Sequence, residues 1–299
     1  MIPIDEQAAV LALTRATQDK PWFYTARVIL DAGSALKLLD GYCPSRDEDD
    51  RAHAAAIAAC VQREDLDWAR ALIAAMRADG VHLVTVLDES YPANLRFAYD
   101  RQPFLWVRGS FAVGDDRAIA VVGEHETGHA VAAARALAEA GLTVVAPLGT
   151  DLDAAVHEAT LAVGGRALAV LAGGISEQSA LGQYGSVAEQ IAESGAVVTP
   201  FWPDALPTSR TAELVRVVTC GLADCLYVVD GLAAGFSSQL VERALETGKH
   251  VFVSHRLQQE QSWVDQAASR GGMTAVQDID DLSKQAVNLV DMTPRTSTC

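Results

Sequence analysis

The second part of the chain alternates short apolar runs with segments in which apolar residues recur at helical spacing. The apolar runs are HLVTVLD (82–88), RAIAVVG (117–123), LTVVAP (142–147), ALAVLAG (167–173), AVVTPF (196–201), CLYVVDG (225–231) and HVFVS (250–254). The helical segments between most of them are 130–141, 151–165, 184–195 and 237–248. Continuous apolar strands that alternate with helices are typical of a parallel sheet covered on both faces. The pattern therefore predicts an α/β fold with a doubly wound, mostly parallel sheet.

The first part of the chain shows no convincing strand and is predicted to form short helices. The segments with helical spacing are 5–16, 22–39, 47–61 and 67–80. The last of them ends at Gly80, and glycine commonly follows a helix in the left-handed conformation. The predicted division is a small all-helical N-terminal domain (1–80), the sheet domain (81–284) and a fraying tail (285–299).

The composition narrows the classes of protein that fit. Of the 299 residues 50% are hydrophobic, so a packed globular chain is expected. The net charge of −16 counts against an extended DNA-binding face, although it is compatible with a local basic patch. The five cysteines are odd in number and form no CxxC pair, which fits reduced thiols in the cytoplasm. Because no segment is typical of a signal peptide or a membrane span, we predict a cytoplasmic protein with no membrane partner.

Ligands of a parallel sheet bind outside the carboxyl ends of its strands, and the loop VVGEHETGHA lies at one such end. Within it, His125, Glu126 and His129 spell H-E-x-x-H, the pattern of a zinc-peptidase helix. Gly128 interrupts the helix that a zinc site needs, so we predict no metal and no cofactor. Two interpretations stay open. Either Glu126 and Thr127 are cap or first-turn residues of a helix, or backbone amides bind a small polar ligand such as a nucleotide phosphate.

Two further loops carry polar residues that have both a structural and a functional interpretation. Asp153 and His157 lie four residues apart and share a helical face. They are either an N-cap aspartate with an internally bonded histidine, or ligand contacts. Gly235 and Ser237 precede a helix, so amides and hydroxyls there either hold a phosphate or cap the helix.

Several motifs lie at a spacing that is specific to one family. The segment YPANLRFAYDRQPFLWVRGS contains Tyr91-Pro92, Leu95, Pro103, Leu105 and Gly109 ahead of a strand. The matching positions further on are Asp153, His157, Gly164-Gly165 and Gly173, with the segments TCGLADCLYVVDG and RALETGKHVFV. Together, residues 80–255 resemble the DprA/Smf family of DNA-processing proteins.

The resemblance implies an extended Rossmann fold, preceded by a small helical domain, that dimerises and binds single-stranded DNA. It also implies that the protein hands this DNA to the strand-exchange recombinase during transformation. The family is not known for catalysis, and the PGGxGTxxE motif of related phosphoribohydrolases is absent from this chain. We therefore predict a binding protein rather than an enzyme.

The loops expected to contact a ligand depart from the family pattern. The family's first loop reads VGSRxxSxYG, and Glu124-His125 stands in place of its Ser-Arg pair. This exchange puts a carboxylate where a phosphate is expected. The SGLAxG turn has become APLGTD, with Asp151 on a former glycine, and an RNR triplet has become VRV, which keeps only Arg216. Each change removes a donor, adds negative charge or stiffens a loop that must approach a phosphate backbone.

The charge pattern of the middle of the chain agrees with these departures. Between residues 136 and 209 the only basic residue is Arg166, against eight acidic residues. Single-strand binding needs a basic groove with stacking aromatic rings, and Phe201 and Trp202 are the best stacking candidates of this stretch. A basic cluster requires five cations to fold together, namely Arg210, Arg216, Arg243, Lys249 and Arg256. We therefore expect the fold to be kept, while DNA binding is weakened or rebuilt.

The leading interpretation is a homodimeric, Rossmann-like DprA/Smf protein that binds single-stranded DNA. One alternative is a protein of the same fold that binds or senses a nucleotide or nucleotide-derived ligand, and another is a degenerate dimeric scaffold. The predicted ligand-binding residues, for nucleic acid or a nucleotide phosphate, are Gly123, Glu124, His125, Thr127, Asp153, His157, Gly173, Gly174, Arg210, Arg216, Gly235 and Ser237.

Overall fold

The apolar runs form strands of a single sheet, seen in a computed structural model that describes residues 2–18, 20–176 and 182–293, apart from the side chain of Arg210. The strands are β1 (Val81–Thr85), β2 (Phe104–Gly109), β3 (Ala118–Val122), β4 (Thr143–Pro147), β5 (Ala167–Val170), β6 (Ala196–Thr199), β7 (Cys225–Val228), β8 (His250–Ser254) and β9 (Met273–Val276). The helices are α1 (Ile4–Arg15), α2 (Trp22–Ala32), α3 (Ala35–Leu39), α4 (Glu48–Cys60), α5 (Arg63–Ala78), α6 (Ala93–Arg96), α7 (Thr127–Glu139), α8 (Asp151–Ala162), α9 (Gly185–Ser194), α10 (Ser209–Leu222), α11 (Phe236–Glu246), α12 (His255–Glu260), α13 (Ser262–Ala268) and α14 (Ile279–Met292).

The strand order confirms the predicted fold class. The sheet has nine strands in the order β1-β2-β6-β5-β4-β3-β7-β8-β9. From β6 to β9 every neighbouring pair is parallel, whereas β2 is antiparallel to both β1 and β6. From β3 the chain first adds β4, β5 and β6 on one side and then returns to add β7, β8 and β9 on the other. The sheet is therefore doubly wound, and its topological switch point lies between β3 and β7, where such folds bind ligands.

Two strands were not predicted from the apolar pattern. β2 lies between β1 and β6, and its residues Phe104 to Val107 are all buried. Its sequence was interpreted only as part of a family motif, although a short buried run is also typical of a strand. β9 is an edge strand of four residues, of which only Val276 is buried, so it has almost no apolar signal. The helix α10 was also not predicted.

The N-terminal helices pack on the sheet through a shared apolar core. Residues 7 to 14 of α1 are all buried, because this helix contacts α5, α3 and β1. The predicted helical segment 22–39 is split into α2 and α3 at Gly33, which has a φ of +66°. Ser34 then caps α3 by accepting a hydrogen bond from the N–H group of Lys37. Gly80 follows α5 with a φ of +73°, as its position predicted. The domain boundary at residue 80 stays a prediction.

Four aromatic rings join the N-terminal helices to the sheet. The ring centroid of Trp202 lies 5.5 Å from that of Trp22, 5.6 Å from that of Trp68 and 5.1 Å from that of Phe104. Phe201 is only 5% exposed. Of the two stacking candidates, Phe201 is therefore buried in the core, and half-buried Trp202 already packs on three rings of the helices and the sheet.

The C-terminal segment is helical well beyond residue 285, where a fraying tail was predicted. Leu282, Ala286 and Val290 recur every fourth residue and are buried, so α14 presents one apolar face to the sheet domain, where it contacts α7. The last six residues of the chain, with Cys299, lie outside the described residues. Within the described ranges, no helix has the length and apolar character that a membrane crossing requires.

Candidate functional site

The loops that follow β3 and β7 meet at the switch point and are joined by hydrogen bonds. The carboxylate of Asp230 accepts hydrogen bonds from the backbone N–H groups of Glu124 (2.7 Å), His125 (2.8 Å) and Glu126 (3.2 Å). Three consecutive amides of this kind form the concave donor array that binds phosphate in other proteins. Here an internal carboxylate occupies that array. The Cβ atom of any residue other than glycine at position 123 would lie 2.7 Å from the Oδ1 atom of Asp230.

A second carboxylate crosses the corner in the opposite direction. Glu124 accepts hydrogen bonds from the backbone N–H groups of Ser237 (3.0 Å), in the first turn of α11, and of Leu232 (3.4 Å), in the loop before this helix. Gly235 permits this approach, since a Cβ atom there would lie 2.6 Å from the Oε1 atom of Glu124. Each loop therefore satisfies the free amides of the other, and we call residues 123–126 and 230–237 the carboxylate corner.

Ion pairs surround the carboxylate corner. The Nδ1 atom of His125 lies 3.3 Å from the Oδ2 atom of Asp230. Arg256 contacts both Glu126 and Glu260, each at 2.8 Å. Hydrogen bonding to Glu260 is the main cause that raises the pKa of Arg256 above its ordinary value. Arg256, which contacts the corner through Glu126, is therefore already paired with two carboxylates.

The H-E-x-x-H spelling does not form a zinc-binding helix. α7 begins at Thr127, which is exposed, so His125 lies in the loop and does not share a helical face with His129. The Nε2 atom of His129 is instead 2.7 Å from the hydroxyl group of Tyr227. Glu126 occupies the N-cap position of α7, but its side chain makes no capping hydrogen bond there. No group of three or more His, Cys, Asp or Glu residues in the described ranges is arranged to hold a metal ion.

Asp153 and His157 lie at the next strand end and bond to local backbone. Thr150, and not Asp153, is the N-cap of α8, and its hydroxyl accepts a hydrogen bond from the N–H group of Asp153 (3.2 Å). The Asp153 carboxylate in turn accepts from the N–H groups of Gly149 (3.2 Å) and Thr150 (3.0 Å), and burial raises its pKa. His157 bonds to the carbonyl oxygen of Pro147 (3.0 Å), and burial lowers its pKa to about 4. Both residues thus make the contacts that the structural interpretation predicted, with the cap moved to Thr150.

Gly173 and Gly174 allow one loop to pack closely against another. A Cβ atom on Gly173 would lie 2.8 Å from the carbonyl oxygen of Ala205, and one on Gly174 would lie 2.0 Å from that of Pro203. The N–H group of Gly174 donates to the carbonyl oxygen of Ala205 at 2.7 Å. The loop that follows β6 therefore covers the end of β5, and these two glycines face protein backbone.

Of the five cations that a basic cluster requires, Arg243 and Lys249 share one cavity, whereas Arg256 pairs with Glu126 beside the carboxylate corner. Arg243 pairs with Asp100, and the ammonium group of half-buried Lys249 donates to the carbonyl oxygens of Gly221 and Ala223. Both side chains line a cavity of about 780 Å³ at the amino ends of β7 and β8, which is the edge opposite the carboxylate corner. The side chain of Arg210 lies outside the described residues.

Arg216 is the cation that remains near the corner. It lies on α10 and is half-buried, and its guanidinium group is 5.7 Å from the ring centroid of Phe236, the first residue of α11. Burial lowers its pKa from the ordinary arginine value. Of the predicted ligand-binding residues, the fold thus brings together Gly123, Glu124, His125, Gly235 and Ser237, with Arg216 beside the same helix start.

Asp230 is the residue of the corner that the sequence-based prediction missed. It was visible in the segment CLYVVDG as an acidic residue directly after a buried strand. Its partners lie more than a hundred positions earlier in the chain, so the contact follows only from the pairing of β7 with β3. An acid at a strand end is a usable signal once the neighbouring strand is known.

A doubly wound sheet whose loops converge at the switch point defines a Rossmann-like binding fold. A comparison with protein families then identifies the particular family. The family model described as DNA recombination-mediator protein A matches residues 82–291, and the chain belongs to this family, the DprA/Smf proteins.

Two curated proteins are similar in sequence to this chain. DNA processing protein DprA of Bacillus subtilis is 24% identical over 187 residues, which cover 60% of this chain and 63% of that protein. Protein Smf of Escherichia coli is 28% identical over 178 residues, which cover 57% of this chain and 47% of that protein. The matched part is therefore less than two thirds of the length of either relative.

Two solved structures share the fold. The X-ray structure of DprA from Streptococcus pneumoniae has a TM-score of 0.65 at 20% identity, and the match covers 95% of this chain and 98% of that one. DprA from Helicobacter pylori, whose structure was described for its single-stranded DNA binding mode, has a TM-score of 0.58 at 16% identity. That match covers 69% of this chain and 96% of that one. At these identities the two structures support the fold alone.

Proposed function

We propose that this chain is a non-catalytic DprA/Smf protein that binds single-stranded DNA with a phosphate contact that the carboxylate corner has weakened. Membership of the family and the DNA-binding relative of the same fold support DNA as the ligand. The observation that carries the altered binding is the occupation of the corner's amides by Asp230 and Glu124. The proposal includes a homodimer in the cytoplasm that delivers DNA to a recombinase.

At the corner, the occupied N–H donors and the negative charge of the carboxylates both weaken the binding of a phosphate. The amides that face a ligand in a phosphate-binding loop already donate to carboxylates, so they have no bond to offer to a phosphodiester. A phosphate that approached either carboxylate to about 5 Å would also be repelled by ~3 kcal/mol at an effective dielectric constant of ~20. A nucleotide phosphate meets the same obstacle, so the corner gives no support to nucleotide binding at this position.

DNA affinity must therefore come from cations outside the corner, and Arg216 is the first candidate. Unlike Arg243 and Arg256, which pair with carboxylates, Arg216 stacks on Phe236 at the rim of the corner. A guanidinium group in this position can bind a phosphate while an aromatic ring supports its flat face.

The test is a fluorescence anisotropy titration with a labelled single-stranded oligonucleotide over a series of salt concentrations. We expect salt-sensitive binding by the wild type, since each phosphate contact adds about 0.7 to the slope of log K against log salt for single strands. Arg216→Ala should weaken binding and lower the slope by about one such contact. Arg63→Ala removes a side chain that is 88% exposed on α5 and should leave both unchanged. Absence of binding by the wild type at low salt would refute the proposal.

A further inference from the structure

We propose that the start of α11 is an anion site shaped for a phosphoryl group, and that Glu124 is a specificity-determining residue that fills it from within the chain. The inference deepens the proposed function and rests on it as far as DNA is concerned. It concerns one residue, Glu124, and one cradle, formed by the amides of Leu232 and Ser237 with the hydroxyl group of Ser237.

The first support is the geometry of the cradle. α11 is 11 residues long, and the free amides of its first turn carry partial positive charge that favours an anion. The two oxygens of Glu124 reach the amides of Leu232 and Ser237. A Cβ atom on Gly235 would lie 2.6 and 2.9 Å from these oxygens, so only glycine leaves room for them.

The second support is a donor that Glu124 does not use. Ser237 is fully buried, and its Oγ atom has no hydrogen-bond partner among the described residues. A Cβ atom on Gly231 would lie 3.0 Å from this Oγ and 3.2 Å from the Oε1 atom of Glu124, so the hydroxyl group and the carboxylate border the same space next to Gly231. A buried hydroxyl group without a partner is unfavourable and calls for an explanation.

The donor count distinguishes a phosphoryl group from a carboxylate. A carboxylate is flat and brings two oxygens, which the amides of Leu232 and Ser237 already engage. A phosphoryl group is tetrahedral and brings a third oxygen, which the Ser237 hydroxyl group can reach as a donor. The cradle therefore offers one more donor than its present occupant accepts.

Occupation by Glu124 explains why free phosphate should not bind to the wild type. A side chain tethered next to its site acts at a high effective concentration, at least in the millimolar range. A free anion must displace it and must also tolerate the negative charge that it leaves nearby. Removing the carboxylate should therefore convert an internally filled site into an open one.

The first experiment compares thermal unfolding of the wild type and Glu124→Ser in chloride buffer and over a titration with inorganic phosphate. We expect Glu124→Ser to melt at a lower temperature in chloride and to regain about 3–6 °C, in a saturable manner, with phosphate. The wild type should show no such rise. Glu260→Ser is the matched control, because it removes the same charge from a neighbouring carboxylate that bonds to Arg256 instead of to amides.

Two further variants keep the test decisive. Addition of Ser237→Ala to Glu124→Ser should abolish the gain from phosphate, since the third donor is then missing. If Glu124→Ser does not fold in chloride, phosphate should restore its folding, whereas Glu124→Gln keeps a side chain in the cradle and should fold in both buffers. Glu124→Ser that responds to phosphate no more than Glu260→Ser does would overturn the inference.

A DNA titration separates this inference from the proposed function. Glu124→Ser should bind the labelled single strand at least about 3-fold more tightly than the wild type at low salt, because one repulsive charge is removed. A phosphate response without DNA binding by either protein would refute the proposed function and leave the anion site standing. DNA binding by the wild type, with neither a phosphate response nor a gain in Glu124→Ser, would refute the anion site alone.

Discussion

Asp230→Ala tests whether the corner is braced as strongly as its hydrogen bonds indicate. The Asp230 side chain is 16% exposed and accepts hydrogen bonds from three consecutive backbone amides. Alanine removes the acceptor and leaves these amides facing the loop after β7. The variant should therefore lower the free energy of unfolding without removing any apolar contact of the core.

The magnitude follows from the number of amides that water cannot satisfy. A hydrogen bond to a charged group contributes about 1.5–3 kcal/mol in net terms. His125 is exposed, so water can replace the carboxylate at its amide, whereas Glu124 and Glu126 are half-buried. Counting these two bonds near the lower bound gives a loss of about 3 kcal/mol. For a protein of this size such a loss lowers the melting temperature by roughly 5 °C.

Urea unfolding and thermal melts measure this loss, and amide hydrogen exchange locates it. Exchange should accelerate at residues 124–126 in Asp230→Ala, because the opened loop no longer protects these amides. Asp230→Asn keeps an oxygen acceptor and should lose less. Asp31→Ala removes an exposed carboxylate from α2 and serves as the control. A loss below about 1 kcal/mol, or one equal to that of the control, would refute the bracing role of Asp230.

Two further predictions concern the packing around the site. Burial lowers the pKa of His157 to about 4, so its neutral imidazole contributes fully to the free energy of unfolding above pH 6.5, and this free energy should fall by about 3 kcal/mol as the pH drops towards 4. His157→Gln should flatten this part of the curve in urea titrations at several pH values, and an unchanged curve would contradict a buried neutral imidazole. Trp202→Ala should destabilise the protein by about 3 kcal/mol, because the ring contacts Trp22, Trp68 and Phe104, and it should leave DNA affinity unchanged. A loss of DNA affinity in the folded variant would show that Trp202 stacks on DNA after all.

The strands of the sheet centre were predictable because burial on both faces makes them continuous apolar runs. All five residues of β3 are buried, and so are all five of β4, so the local sequence alone identifies them. β9 lies at the edge with a mostly half-buried face, and its existence depends on pairing with β8. The order of the strands could not be predicted from the local sequence either, since it depends on contacts between distant parts of the chain.

The site was predictable only in part, for a related reason. The exchange of a serine for Glu124 was evident from the family pattern, and so was the negative charge it brings. The destination of that carboxylate was not, because the amides of Leu232 and Ser237 lie more than a hundred residues away in the chain. Trp202 was named as a stacking candidate without knowledge of its neighbours, because Trp22 and Trp68, whose rings pack on it, lie far earlier in the chain.

Backbone N–H groups that converge at the end of a sheet need acceptors, because leaving them unpaired costs free energy whether or not a ligand binds there. Glu124 and Asp230 supply acceptors from opposite loops, so the exchange that withdraws donors from a phosphate also holds the corner together. The same two carboxylates thus stabilise the corner and block phosphate binding, which explains how the chain keeps its nine-stranded sheet and family motifs although the corner differs. The two carboxylates nevertheless differ, because only the Glu124 cradle contains an unused buried hydroxyl group. Loss of Asp230 should therefore weaken the fold alone, whereas loss of Glu124 should also open a site.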